Sequence, residues 1–213
     1  MAKQAKRKYS RPALKKVVVV NSEASIDAMS QYVNQTMSAI YSLDVILFYI
    51  GSAQVAEEAN ARVDKLFEQK LQLFDKEISK LQKVVEDNDI EEIEYSQQRT
   101  KDYKVYSPLC ATYIKLFKKF ELNTNLIDRL WLNGELSSAQ RNGKVLKLGR
   151  HMRNVSRQVI NMSKMAMKVA QSEGKAEEVN ASLKEIDPEN NGKIADPQEA
   201  LPVEVEGEEK EVA

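Results

Sequence analysis

Apolar positions recur along this chain with two periods. Leu14-Lys-Lys-Val-Val-Val-Val20 is rich in β-branched residues and closed by Asn21-Ser22, which predicts a short strand. A lone strand leaves its backbone N–H and C=O groups without partners. No second segment of this kind stands out, so pairing with the same strand of a second chain is the simplest solution and predicts a homodimer. Helical periodicity begins at Ser22, a capping residue. Ile26, Met29, Val33, Met37 and Ile40 then share one face of a helix from Glu23 to about Tyr41. Ser42 offers a second cap, with Asp44 in the first turn, for a short apolar helix through Val45, Leu47, Phe48 and Ile50; Gly51 ends or kinks it. From about Gln54 to Glu86, Val63, Phe67, Leu71, Phe74, Ile78, Leu81 and Val85 form a heptad-like seam. Its partner is either a second chain or another helix of the same bundle.

Glu86 to Glu94 is polar and acidic and reads as a connection. Ser107-Pro108 opens the next helix, with serine as cap and proline at the first position. That helix carries Leu109, Tyr113, Leu116, Phe117, Phe120, Leu126, Leu130 and Trp131, and Gly134 is a natural stop. Ser137 and Gln140 fit a capping box that starts a last helix, running to about Gln171. The expected class is mainly α: a helical bundle with one short N-terminal β-strand, of the kind that forms an intersubunit ribbon.

Composition narrows the chemistry. The 213 residues hold one cysteine, Cys110, and one histidine, His151, which excludes an internal disulfide and leaves little for a metal site or a Ser-His-Asp site. The seven glycines are scattered and form no phosphate-binding loop. No catalytic role, metal or cofactor is therefore expected. The longest mainly apolar run, Val45 to Ile50, is far too short to span a bilayer, which needs about 20 residues. With no secretory signal at the basic N-terminus, a cytoplasmic location is expected.

Charge sharpens the picture. The 32 cations and 32 acids cancel, yet residues 1–20 carry +7, residues 172–213 carry −9, and the middle carries +2. Three parts are expected: a flexible basic arm (1–12), a ribbon strand plus helical domain (13–172), and an acidic disordered tail (173–213). Lys3, Lys6, Arg7, Lys8, Arg11, Lys15 and Lys16 make the N-terminal segment a candidate for DNA phosphates. The tail or the long helix is a candidate for a protein partner. In the last helix, Arg150, Arg153, Arg157, Lys164 and Lys168 cluster opposite the apolar stripe. Five cations with no interleaved acid repel one another, so this face either meets nucleic-acid phosphate or is balanced by neighbouring acids. In the tail, Asp187 to Ile194 matches the first half of an EF-hand loop, but Gln198 stands where the bidentate glutamate is needed, so chance accounts for it.

At Leu14 to Ile50, the order of basic arm, strand, helix, serine-led turn and helix resembles the ribbon-helix-helix DNA-binding unit. Leu126-Ile-Asp128-Arg-Leu-Trp131-Leu-Asn-Gly134-Glu-Leu-Ser137-Ser-Ala-Gln140-Arg, with Gly149-Arg150 and Arg153 after it, resembles the C-terminal signature of the AcaB-like family. These are regulators and accessory proteins of conjugative plasmids and integrative elements, and the resemblance spans about residues 13 to 168. It implies a homodimeric regulator of transfer genes that binds the DNA major groove and phosphates. In that reading Lys15 and Lys16 face or flank DNA, and Ser42 stands at a helix N-terminus able to grip a phosphate. The alternative is a non-enzymatic helical accessory protein of a conjugation or secretion assembly, working through protein contacts.

Overall fold

A computed structural model describes residues 12–50, 53–175 and 177 of the chain. The residues of the basic arm before Pro12, and therefore Lys3, Lys6, Arg7, Lys8 and Arg11, lie outside the described residues. So does nearly all of the acidic tail, including its EF-hand-like pattern.

Two strands form an antiparallel ribbon: β1 (Leu14–Val20) and β2 (Arg99–Val105), in register from Leu14 opposite Val105 to Val20 opposite Arg99. The expectation that β1 lacks a partner within the chain is overturned. Its backbone groups are satisfied by a strand from the same chain, so the argument for a homodimer built on intersubunit strand pairing loses its premise. The long apolar run of β1 also resolves into alternation. Val18 and Val20 are fully buried, whereas Val17 and Val19 are half-exposed. On β2, Tyr103 and Val105 are buried, and the residues between and before them are mostly charged.

Helix α1 follows one right-handed path over residues 23–50. It is α-helical at Glu23–Ala28, Asn34–Tyr41 and Leu47–Ile50, with wider π turns at Met29–Val33 and Ser42–Ile46. Ser22 caps it by accepting from the Ser25 N–H. No second helix starts at Ser42. That residue has helical backbone angles (φ −62°, ψ −41°), is buried, and donates its hydroxyl to Ser38 O at 3.0 Å. Its neighbours Leu43, Ile46 and Leu47 are all buried, so the helix gains more by continuing through the core than by capping anew.

Three longer helices complete the bundle: α2 (Ala53–Asp87), α3 (Pro108–Leu132) and α4 (Ser138–Ala170). Among the described residues, the seam of α2 is filled from within the chain. Val63, Phe67, Phe74, Ile78 and Leu81 are buried, and α2 packs along α3, with Phe67 against Tyr113 (5.8 Å between ring centres) and Phe74 against Phe120 (6.4 Å). The Tyr113 hydroxyl lies 2.9 Å from Ser156 Oγ, joining α3 to α4 inside the core. Burial pushes its pKa up to about 12, against the Ser156 hydrogen bond.

The predicted helix signals are realised locally. Ser107 caps α3, and the capping box of Ser137 and Gln140 opens α4. Gly134 adopts φ +84°, the left-handed angle that lets the chain turn tightly between α3 and α4. Among the described residues no helix is long and apolar enough to cross a membrane.

Candidate nucleic-acid interface: the ribbon and its helical support

The ribbon carries Lys15, Lys16, Arg99, Lys101 and Lys104 against a single acid, Asp102. Strand alternation sorts these residues into two faces. Lys15, Val17 and Val19 point away from the core on β1, and their register partners Lys104, Asp102 and Thr100 do so on β2. This outer face thus offers two cations, an acceptor, a hydroxyl and two small apolar groups on a twisted two-stranded platform. Lys15 Nζ lies 2.6 Å from Asp102 Oδ2, with both side chains more than half exposed. An exposed pair of this kind contributes no more than about 1 kcal/mol and can open toward an external anion.

The other face fixes the ribbon to α1. Arg99 Nη1 donates to Ser30 Oγ (2.6 Å), and Lys101 Nζ donates to Asn34 Oδ1 (2.9 Å). The Lys101 ammonium also lies 5.5 Å from the centre of the Tyr103 ring. Burial pushes the Tyr103 hydroxyl up to about 12. Lys16 sits directly opposite Tyr103 with its side chain exposed.

The join between ribbon and helix is held by Glu121, a buried carboxylate of α3. Its Oε1 accepts from the Asn21 N–H (2.6 Å) and the Ser22 N–H (3.2 Å), and its Oε2 accepts from Ser22 Oγ (2.5 Å). One acidic side chain therefore satisfies backbone donors at the end of β1 and orients the cap of α1, where a negative charge also complements the helix dipole.

Of the residues marked by sequence, Lys15 and Lys16 stand on this ribbon. Ser42 does not belong to it: it is buried mid-helix, its N–H is not at a helix start, and it cannot grip a phosphate. Arg150 is exposed, and Arg153 and Arg157 are half-buried, on α4, which packs on another flank of α1. Arg150, Arg153 and Lys164 each have interactions within the protein. Arg153 acts electrostatically on the buried Tyr32 hydroxyl, whose pKa is raised chiefly by burial. The same stretch of α1 thus carries Ser30 and Asn34 beneath the ribbon and Tyr32 beside α4, which places the ribbon and the basic residues of α4 on opposite sides of one helix.

Sequence reasoning missed Arg99, Lys101 and Lys104, because β2 was not read as a strand. The usable signal was the alternation of Lys101, Tyr103 and Val105 just before the Ser107 cap.

The α3–α4 motif has a structural job. Asp128, buried, accepts from Arg141 Nε (2.7 Å) and from the Tyr95 hydroxyl (2.9 Å). The Arg141 guanidinium lies 5.0 Å from the centre of the Trp131 ring. Arg129 donates to the Ile90 and Glu91 carbonyls, tying the loop after α2 to α3. This corner fastens the bundle and offers no open chemistry. Cys110 is buried, and burial raises its thiol pKa to about 11, so it is not poised as a nucleophile. Among the described residues no group of three His, Cys, Asp or Glu side chains is placed to hold a metal ion.

No family model matches the sequence, and no curated protein matches it. Among solved structures, the chain is similar to the crystal structure of AcaB from uropathogenic E. coli, with a TM-score of 0.75 and 26% identity over 88% of this chain and 97% of that one. The chain has an AcaB-like fold.

Proposed function

We propose that this chain is a non-enzymatic DNA-binding regulator that lays its own β1–β2 ribbon into the major groove. The observation that carries the reading is the outward face of the ribbon. The major groove admits a two-stranded ribbon and displays a distinct donor and acceptor pattern for each base pair. Lys15 and Lys104 suit guanine acceptors or phosphates, Asp102 suits the cytosine amino group, Thr100 suits either partner, and Val17 and Val19 suit thymine methyls. Similarity to a protein named AcaB, together with the motif resemblance, supports regulation of transfer genes of mobile elements as the setting.

In this reading one chain supplies a whole ribbon, and no second subunit is needed to complete it. Arg99 and Lys101, held by Ser30 and Asn34, fix the ribbon's height and tilt on α1. The basic arm adds non-specific affinity, whereas Arg150 and Arg157 stand on α4, across α1 from the ribbon, outside its groove contact.

Selection from a pool of random duplexes tests the reading. Full-length protein enriches a defined motif at moderate salt, and the Lys104→Ala, Asp102→Ala double variant loses or alters that motif while keeping weak general affinity. A bound pool with no sequence bias would refute base reading by the ribbon.

A further inference from the structure

A groove of about 520 Å³ runs between α2 and α4, on a part of the bundle that the DNA reading does not use. Its floor is apolar, made by Leu73, Ile127 and Leu148; Leu73 is 38% exposed and stands off the buried seam of α2. Its rim is cationic. Lys76 and Lys80 stand on the α2 side, and Lys144 and Lys147 stand on the α4 side, with His151 at the edge. Glu77 is the single acid of the lining and lies 3.6 Å from Lys144. Apolar bottom and paired lysine walls suit an extended segment that alternates apolar side chains with carboxylates.

The chain contains such a segment. In Leu201-Pro-Val203-Glu204-Val205-Glu206-Gly-Glu208 the apolar residues Leu201, Val203 and Val205 and the acids Glu204, Glu206 and Glu208 fall on opposite faces of extended backbone, and Pro202 favours that conformation. We infer that the α2–α4 groove is the docking site of the chain's own acidic segment, residues 201–208. Leu201, Val203 and Val205 face Leu73, Ile127 and Leu148, and Glu204, Glu206 and Glu208 meet the lysines of the rim.

Geometry permits the docking within one molecule. Gly174, at φ +86°, breaks the helical path just past α4 and releases the chain from the helix axis. From there back to Leu148 is about 40 Å along α4, at about 1.5 Å per residue. The 26 residue-to-residue steps from Lys175 to Leu201 span up to about 86 Å when extended, so the connection reaches with ample slack. Tethering makes the encounter intramolecular, at an effective concentration of order millimolar, and this favours it over capture of a second copy's tail. The inference stands independently of DNA binding.

Zero-length carbodiimide cross-linking of the full chain, read by peptide mass spectrometry, tests it. The expected result is amide links from Glu204, Glu206 or Glu208 to Lys76, Lys80, Lys144 or Lys147. In an equal mixture of ¹⁴N and ¹⁵N protein, these links join peptides of the same label. The exposed-residue variant Lys76→Glu, Lys147→Glu reduces their yield at least several-fold and leaves the far-ultraviolet circular dichroism unchanged. Mixed-label links would overturn the inference in favour of a second copy as occupant. Tail links confined to Lys15, Lys16 or the residues before Pro12, or no tail links at all, would overturn it outright.

Discussion

Ser22 and Glu121, 99 positions apart, are joined by a hydrogen bond of 2.5 Å that locks the strand-to-helix junction onto α3. The same carboxylate also accepts the Asn21 and Ser22 N–H groups, so three donors depend on one buried side chain. Removing it leaves buried donors unsatisfied, at a cost of about 1–3 kcal/mol for such a group. Glu121→Ala is expected to destabilise the protein by about 3 kcal/mol, and Ser22→Ala by about 1 kcal/mol. In urea unfolding, the double variant should fall short of additivity by at least about 0.5 kcal/mol, because both changes remove the same contact. Additive losses would show that the two residues act separately.

A second prediction concerns Asp128 and Arg141. Asp128 is almost fully buried and Arg141 is about one-quarter exposed. Breaking a buried pair by removing one partner costs about 3–5 kcal/mol, and the partial exposure of Arg141 places this pair at or below the lower end. Asp128→Ala is expected to cost about 3 kcal/mol, also stranding the Tyr95 hydroxyl, while Tyr95→Phe costs about 1 kcal/mol. Both are measured by denaturant midpoint at constant slope. DNA affinity should not change for the fraction that remains folded, since none of these side chains stands on the outer face of the ribbon.

The third prediction is a pH dependence. The pKa of His151 is lowered first by burial, then by Lys70 and Lys147; Lys76, Lys80, Lys144 and Glu77 line the same groove. A histidine whose folded pKa lies below its unfolded value binds fewer protons in the native state. Stability therefore falls as pH drops through about 6.5 toward the folded pKa, and the loss is complete below it. His151→Gln should flatten this part of the profile of Tm against pH between about 5 and 7. An identical profile in the variant would assign the slope to other groups. As the sole histidine, its imidazole signal can be followed directly by NMR.

The fourth prediction separates the faces of β1. Val18→Asp places an unpaired charge at a fully buried position and is expected to abolish folding, whereas Val19→Thr, at a half-exposed one, should shift stability by less than about 0.5 kcal/mol. Circular dichroism and thermal melting distinguish them. Equal effects would contradict the alternation of the strand.

What could be read from sequence follows from where the signals are local. Ser107-Pro108, Gly134 and the Ser137–Gln140 box act within one helical turn, and each marks an observed boundary. The seam of α2 was legible as a period, but only packing shows that its partner is α3. The strand β2 was missed because its identity comes from tertiary pairing. Arg-Thr-Lys-Asp-Tyr-Lys-Val has only two residues that enter the core, and Lys101, on the inner face, is accommodated by Asn34 and by the Tyr103 ring. Ser42 misled for the opposite reason: a good cap residue is overruled where flanking apolar residues hold the helix in the core. Half of the candidate interface was therefore hidden, and the correction moves the ribbon from between two chains to within one.

The most direct measurement is fluorescence anisotropy of a labelled duplex with full-length protein and with the Lys15→Ala, Lys104→Ala variant, across about 50 to 200 mM salt. Each phosphate contact contributes about −0.9 to the slope of log K against log salt. If both lysines of the outer face meet phosphate, the account predicts tight, salt-sensitive binding and a slope shallower by about 2 in the variant, with the Tm unchanged. Equal affinity and equal slope in the two proteins, or no binding at 50 mM salt, would contradict it.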